Sequence, residues 1–205
     1  MSCRKIVPAL IVISMGLSIA HAVDSDGFLT DARLEGILLP ENFDYDSTAN
    51  SGVGSLSING SDDFDRPFRI GISGTSHQRG FEHGPIGLIG GGAVYYSRLP
   101  IDRNNVSERY EALSAQLRLG IGIYLGDVFH LEATPFVGIG GARGKINGAK
   151  SDTGLYWEYG IGAGAFASLG GSAQLGVIGG WLHGEYDLDF DENDNFSGFV
   201  NNVDV

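Results

Sequence analysis

A long period-two alternation is the feature that most limits what this chain can fold into. Between residues 113 and 125, apolar residues, all bulky except Ala115, occupy every second position, and mostly small or polar residues occupy the positions between them. Successive side chains of a β-strand point to opposite faces, so such a strand carries one apolar face along its whole length. The alternation runs from about Arg109 to Tyr186 and predicts an all-β fold with unusually long strands.

The lengths of the connections predict how these strands are joined. Two short, glycine-containing connections at 126–128 and 170–172 are typical of tight hairpins, whereas those at 100–108, 144–153 and 188–195 are longer and polar. Short turns at one end and long loops at the other are the arrangement of outer-membrane barrels. The clear strands are predicted at 66–76, 85–97, 109–125, 129–143, 154–169 and 173–187.

Two further strands have a weak pattern. The order of the turns requires an earlier strand, within 30–39, and a closing strand at 196–205, which is predicted to be weak or truncated. A membrane-spanning strand takes about 9–11 residues, so the chain has room for about eight. The fold class predicted is therefore an antiparallel, up-and-down transmembrane β-barrel. The two tight turns also predict cross-strand neighbours, Ile121 with Ala133 and Ile161 with Trp181.

The composition of the polar face decides which face points outward. A soluble barrel of the lipocalin kind would need a charged exterior and an apolar interior. Here the face opposite the bulky apolar residues is rich in glycine, as at Gly120, Gly138 and Gly160, and has few charges. Glycine weakens an exposed strand but leaves room for large side chains inside a narrow barrel. The apolar face is therefore predicted to meet lipid.

The N-terminus predicts export. Arg4 and Lys5 precede an apolar run that ends in Ala20-His21-Ala22, and this order is typical of a secretory signal peptide. The run is short for a transmembrane helix of about 20 residues. Residues 1–22 are therefore predicted to be a signal peptide and 23–205 the barrel domain. Cys3 lies inside the signal, so no thiol chemistry or disulfide is expected in the mature chain.

Charge excludes one large class of partners. The chain has a formal net charge of −12, which becomes −14 once Arg4 and Lys5 are removed with the signal. Nucleic-acid binding requires a basic surface, so no nucleic acid is expected as a partner. The glycine runs at 90–92 and 138–141 lack the lysine and the strand-to-helix context of a phosphate loop, and no cofactor is expected.

The chain resembles the small bacterial outer-membrane β-barrels of the OmpA-transmembrane-domain, OmpX and opacity-protein type. The resemblance lies in the Ala20-His21-Ala22 signal end and in the hairpins formed by 113–125 with 129–143 and by 155–169 with 173–183. It implies a location in the cell outer membrane, contact with lipid and lipopolysaccharide, insertion by the barrel assembly machinery and a monomeric state. The family's usual terminal aromatic residue is replaced here by Val205.

The lumen is expected to be filled by polar side chains. Buried charges are costly unless they are paired, and an eight-stranded barrel leaves an interior that side chains can fill. A lumen plugged by such a network favours a structural or surface-interaction role of the adhesion type for the barrel. The alternative is that the barrel is a narrow, porin-like channel. The residues predicted for this network are Gln116, Arg118, His130, Glu132 and Glu158.

Aromatic residues on the apolar face predict the two membrane interfaces. Such barrels carry aromatic girdles at both edges of their apolar band. Trp157, Tyr159 and Trp181 lie toward the loop ends of their strands, and Phe129 lies beside a short turn. These four residues are the predicted girdle.

Two remaining sequence features bear on metal binding and catalysis. Asp187, Asp189 and Asp191 alternate as oxygen ligands do in a calcium loop, but Glu192 stands where such a loop needs glycine, and a solvated acidic loop is favoured over a metal site. His183 faces lipid without a nearby serine motif, whereas a hydrolase needs a nucleophile beside a base. The chain is not expected to be an enzyme, with a lipid-modifying activity as the more distant alternative.

Overall fold

The fold was analysed in a computed structural model. The structure describes residues 17–23, 28–39, 42–51, 54–63, 67–79, 84–103, 106–146, 149–170, 173–188 and 199–204. Among these residues no helix is long and apolar enough to span a membrane.

In the described part of the chain twelve strands form one sheet, and seven of them are long, consecutive neighbours. The sheet order is β1-β2-β5-β6-β7-β8-β10-β11-β12-β3-β4, with β9 paired to β8. The strands are β1 (Leu17–Val23), β2 (Phe28–Leu38), β3 (Asn42–Ser51), β4 (Gly54–Asp63), β5 (Phe68–Arg79), β6 (Ile86–Arg103), β7 (Val106–Leu125), β8 (Phe129–Ile146), β9 (Ala149–Lys150), β10 (Gly154–Gly170), β11 (Ala173–Leu188) and β12 (Phe199–Asp204).

Every pairing from β2 through β5, β6, β7, β8 and β10 to β11 is antiparallel, so the predicted up-and-down architecture is confirmed. The predicted cross-strand neighbours are also confirmed, because Ile121 lies opposite Ala133 and Ile161 opposite Trp181. Gly126 adopts a φ of 74° in the β7–β8 turn. This left-handed conformation suits glycine and allows Leu125 to pair directly with Phe129.

The outer face of the sheet is apolar. On β7, Leu113, Leu117 and Leu119 are each about 60% exposed, while Ser114 and Gln116 between them are buried. The same alternation continues around the sheet. The exposed large residues on other strands include Leu34, Leu38, Ile70, Ile72, Leu88, Val94, Val137, Ile139, Leu155, Ile161, Leu175 and Val177. The barrel is therefore apolar outside and polar inside, opposite to a soluble barrel.

Two features of the strands differ from the sequence prediction. The segment predicted as a loop at 100–108 is mostly strand, because β6 and β7 stay paired up to Arg103 and Val106. Asn42–Ser51 and Gly54–Asp63 form a hairpin that the apolar pattern did not reveal. Polar strands lack the alternation that marks a lipid-facing strand, since both of their faces can meet water.

The space between β2 and β11 is shared by two short strands. The end of the barrel away from the short turns is here called the upper end. β12 pairs with the upper end of β11, from His183 to Leu188, and with β3 on its other side. β1 pairs with β2 between Leu29 and Leu34 and lies beside β11. β1 falls within the segment predicted to be the end of the signal peptide and its cleavage site. The strand predicted within 30–39 corresponds to β2, and the one at 196–205 to β12.

Candidate functional site in the barrel lumen

Ion pairs that cross the lumen join strands that are not neighbours in the sheet. Arg33 on β2 contacts Glu132 on β8, and Arg69 on β5 contacts Glu158 on β10. Such contacts require the sheet to curl until its opposite walls meet. The charged side chains form three groups, each centred on a buried arginine or carboxylate.

The first group, here named the Arg33 cluster, consists of Asp31, Arg33, His77, His130 and Glu132. The Arg33 guanidinium donates to Asp31 Oδ2 at 2.6 Å and to both Glu132 oxygens, at 2.6 and 2.9 Å. Its side chain is 2% exposed. One cation therefore satisfies two buried carboxylates, in the two-pronged geometry that guanidinium groups favour.

Aromatic rings hold the two imidazoles of the Arg33 cluster in place. His77 Nδ1 lies 2.6 Å from the hydroxyl of Tyr124, and His130 Nε2 donates to Glu132 Oε1 at 2.9 Å. Phe166 stacks on His130 with ring centroids 5.1 Å apart, and its face also lies 3.9 Å from the Arg33 guanidinium carbon. A cation over an aromatic face is stabilised further where water is excluded.

The second group, the Glu35 cluster, lies next along β2. Arg118 donates to the two Glu35 oxygens at 3.1 and 3.2 Å. The hydroxyls of Ser73 and Tyr95 also donate to Glu35. Glu35 is fully buried, and the Arg118 side chain is 11% exposed, which makes it less buried than Arg33 or Arg69.

The third group, the Glu158 cluster, gives one carboxylate five donors. Arg69 donates to the two Glu158 oxygens at 2.6 and 2.8 Å. Neutral donors complete the set: the hydroxyls of Ser114 and Tyr156, both at 2.7 Å, and the side-chain amide of Gln116 at 3.0 Å. Glu158 is 1% exposed. A buried charge held this way avoids most of the cost of an unpaired ion.

Apolar and aromatic residues close the upper part of the lumen. Tyr156 joins this layer to the Glu158 cluster, and its ring packs against Tyr186 with centroids 4.7 Å apart. The buried members of the layer are Leu39, Leu99, Tyr110, Ala112, Ala142, Tyr156, Tyr186 and Leu188.

Inward-facing glycines make room for the large side chains of the plug. A Cβ at Gly176 would overlap the ring of Phe166, and a Cβ at Gly160 would overlap Phe136 and the Trp181 carbonyl. These positions accept only a hydrogen without rearrangement of their neighbours. Their glycines are therefore part of the interior packing.

A cavity of about 100 Å³ remains on the side of the lumen between β2 and β11. Its apolar wall includes Ile37, Ile178 and Leu182, and its inner end reaches Arg118 and Glu35. The space is small compared with ligand pockets of about 300–1,000 Å³.

The five residues predicted for the lumen all lie on its inner face. Gln116 donates to Glu158 and accepts a hydrogen bond from Arg118 Nε at 3.2 Å, so it joins the Glu158 cluster to the Glu35 cluster. His130 and Glu132 belong to the Arg33 cluster. The prediction missed five of their charged or imidazole partners, namely Asp31, Arg33, Glu35, Arg69 and His77. A usable signal existed, because Asp31, Arg33 and Glu35 occupy alternate positions of one strand.

The four residues predicted for the girdle lie on the outer face. Trp157, Tyr159 and Trp181 form a continuous aromatic patch with His183, in which Trp157 and Tyr159 stack at 5.5 Å and Tyr159 and His183 lie 4.8 Å apart. Phe129 is 39% exposed at the opposite end of the sheet. The aromatic side chains are thus placed toward both ends of the apolar band.

The predicted acidic loop is only partly described. Asp187 is exposed near the upper end of β11 and pairs in the ladder with Leu155. Asp189 and Asp191 lie outside the described residues. The weak metal prediction for this loop therefore stays a prediction.

Comparison with solved structures shows a likeness to a known protein. The chain is similar to Ail, the attachment invasion locus protein of Yersinia pestis, at 9% sequence identity and a TM-score of 0.26. The match covers 84% of this chain and 93% of Ail. No protein-family model and no curated protein matches the sequence.

Proposed function

We propose that this protein is a bacterial outer-membrane β-barrel that works as an anchor for a surface-interaction platform of the adhesion type. The observation that carries the proposal is the lumen, which is filled by three arginine–carboxylate groups joined across the barrel. A plugged barrel that is apolar outside is suited to holding loops at a membrane surface and poorly suited to diffusion. The mature chain would lie among lipid and lipopolysaccharide as a monomer, inserted by the barrel assembly machinery.

The platform is the polar sheet above the apolar band. β3 and β4 follow β2 in the chain and form a hairpin, which β12 joins to β11 in the sheet. From Asn42 to Asp63 the sequence has four aspartates and no lysine or arginine. An acidic sheet of this kind would meet a basic surface on its partner.

The filled lumen argues against the narrow channel. A planar-bilayer recording tests this directly. We expect no stable single-channel steps from the native protein. Steps that disappear in the Arg118→Ala variant would contradict the anchor role and support the channel, because Arg118 is the least buried of the three lumen arginines.

The aromatic patch argues against the lipid-modifying enzyme. His183 lies opposite Tyr159, whereas Ser168 lies near the other end of the same hairpin, about 30 Å away at about 3.4 Å per residue. This separation leaves His183 without Ser168 as a nucleophile. Unchanged lipid A in cells that express the native protein would agree with this conclusion.

Surface adhesion can be tested on cells that express the protein. The variant replaces 42–63 by a short glycine–serine turn, and the control replaces 126–128, at the opposite end of the barrel, by another tight turn. We expect weaker attachment to a cell layer for the first variant only, with heat-modifiable gel migration retained by all three proteins. Equal attachment by all three would contradict the platform.

Export and cleavage after Ala22 belong to the same proposal. N-terminal sequencing of the membrane fraction is expected to begin at Val23, which would remove β1 except for its last residue. The edge of β2 that pairs with β1 would then need another strand, because open strand edges do not face lipid. A mature protein that is freely soluble in the periplasm would contradict the membrane location.

A further inference from the structure

Positive side chains gather on the outer face of the sheet, at the upper end of β6, β7, β8 and β9. They account for five of the 13 lysine and arginine residues in a chain whose formal net charge is −12. Arg143 and Lys150 are exposed, and the other three are half-buried. The five residues, here named the basic patch, are Arg98, Arg109, Arg143, Lys145 and Lys150.

The strand register places the basic patch in two rows. In the lower row Arg98 lies opposite Glu111, and Glu111 lies opposite Arg143. Facing residues have Cβ atoms about 4.5–5.5 Å apart, and the two rows are about 7 Å apart at about 3.4 Å per residue. The upper row is formed in the same way by Arg109, Lys145 and Lys150.

One carboxylate stands among these cations. Glu111 is the only acidic residue among the described outward side chains of the four strands at this level. It pairs with Arg109, whose Nε lies 3.2 Å from Glu111 Oε1, and it accepts a hydrogen bond from the Tyr96 hydroxyl. The formal charges of the basic patch and Glu111 therefore sum to +4. In addition, Arg98 Nε is out of contact with water and has no acceptor among the described residues, and such a donor costs free energy.

The height of the basic patch matches the level of lipid headgroups. The apolar face of β7 extends over 12 residues from Leu125 to Leu113. This run is about 40 Å long and rises about 30 Å at a strand tilt of about 40°, which is the thickness of the hydrocarbon core of a bilayer. Glu111 and Arg109 are the next outward residues of β7. The patch therefore begins where the hydrocarbon ends.

We propose that the basic patch binds the phosphate groups of a lipid in the leaflet at the upper end of the barrel. The proposal rests on the outer-membrane location proposed above, which makes lipopolysaccharide, whose headgroup carries phosphates, the lipid of that leaflet. A guanidinium matches phosphate oxygens in a two-pronged geometry, and lysine adds a point charge. Arg98 and Arg143 are two strand spacings apart, about 10 Å, so they can contact separate phosphates of one headgroup.

The same chemistry confines the lipid to one side of the barrel. Near the upper end of β11 the outward residues are Glu185, which is half-buried, and Asp187, which is exposed. These carboxylates repel phosphate, whereas clusters of lysine and arginine at a membrane surface attract anionic headgroups. The bound lipid would therefore lie against β6, β7 and β8.

The test measures lipid binding by the native protein and by matched variants. Protein is refolded in uncharged detergent micelles, and the affinity for fluorescent lipid A that carries two phosphates is compared with that for the same lipid without phosphates. We expect the native protein to prefer the phosphorylated lipid by at least about 25-fold. Arg98→Gln/Arg143→Gln should bind it about 25-fold more weakly, at about 5-fold for each charge removed. Arg79→Gln removes one charge at the opposite end of the sheet, where β5 ends, and should change the affinity less than about 2-fold.

The remaining outcomes are separated by further measurements. Lys145→Gln/Lys150→Gln removes two charges of the upper row and is the second variant if the first does not fold, with heat-modifiable gel migration as the check of folding. Equal affinity of the folded native protein for the two lipids would overturn the proposal, as would native affinity in a folded double variant. Inorganic phosphate that binds as tightly as the phosphorylated lipid would overturn the assignment to a lipid.

Failure of the proposed function gives different results. A native protein that is freely soluble without detergent would contradict the membrane location. A folded barrel in micelles that does not distinguish the two lipids would contradict only the lipid site. The adhesion assay is independent of both results, because no residue of the basic patch lies within 42–63.

Discussion

Removal of Arg69 is expected to destabilise the barrel far more than removal of an exposed arginine. Arg69 and Glu158 are 3% and 0% exposed in their side chains, so removal of Arg69 leaves a buried carboxylate without its ionic partner. Loss of one member of a buried pair costs about 3–5 kcal/mol. Ser114, Gln116 and Tyr156 would still donate to Glu158, so we place Arg69→Met near the lower end, about 3 kcal/mol.

The matched control is the pair between Arg109 and Glu111, whose closest atoms are 3.2 Å apart and whose side chains are 40% and 33% exposed. Exposed pairs contribute about 0.2–1 kcal/mol, so Arg109→Met is expected to cost less than about 1 kcal/mol. The two substitutions are chemically identical and differ in burial.

A double-mutant cycle isolates the pair itself. Glu158→Gln removes the buried charge, and Arg69→Met/Glu158→Gln should therefore recover most of the stability lost in Arg69→Met, with a coupling energy of about 2 kcal/mol. The free energy of unfolding is measured by urea titration of protein refolded in lipid vesicles, with gel migration as a check of folding. The reasoning is refuted if Arg69→Met costs no more than Arg109→Met.

Three further substitutions or labels test the packing and the orientation. Gly176→Ala should destabilise the barrel by about 1–3 kcal/mol because the new methyl overlaps Phe166, whereas Gly36→Ala, where the Cβ position is open, should change the unfolding free energy by less than about 0.5 kcal/mol. Leu119→Arg places a charge on the apolar face and should cost about 2–4 kcal/mol in vesicles if this position lies near the bilayer midplane; an unfolding curve that matches the native one would contradict a lipid-facing Leu119. The chain has two tryptophans, Trp157 and Trp181, and brominated lipids should quench the fluorescence of both single-tryptophan variants, while strong quenching by aqueous iodide instead would place the aromatic patch in water.

The alternation of side chains between the two faces of a strand, here called parity, explains how much of the fold the sequence could predict. Once two tight turns were recognised, the faces and neighbours of β7, β8, β10 and β11 followed, because each strand has only two faces and the turn fixes the register. The same rule placed Gln116, Glu132 and Glu158 inside. The β3–β4 hairpin was missed because polar strands in water need no alternation.

The identity of the ion-pair partners could not follow from parity. Alternation assigns Arg33 or Arg69 to the inner face, but it does not say which distant carboxylate lies across the lumen. That depends on the curvature of the sheet, which the tilt and stagger of all the strands set together. β2 carries Asp31, Arg33 and Glu35 on its inner face, and Ala32 and Gly36 interrupt the apolar residues of its outer face. This strand was therefore predicted only from the order of the turns.

The ion pairs that cross the lumen have a consequence for how the barrel holds its shape. Arg33 connects β2 to β8, Arg118 connects β7 to β2, and Arg69 connects β5 to β10. None of these pairs can form within one hairpin, so they contribute nothing until the sheet has curled. Hairpin ladders can form in a flat or a curved sheet, but these three cross-lumen pairs form only in the curved one. Because an unpaired buried charge is so costly, these three pairs favour the closed barrel specifically, and they do so most strongly at β2, beside the position that two short strands share.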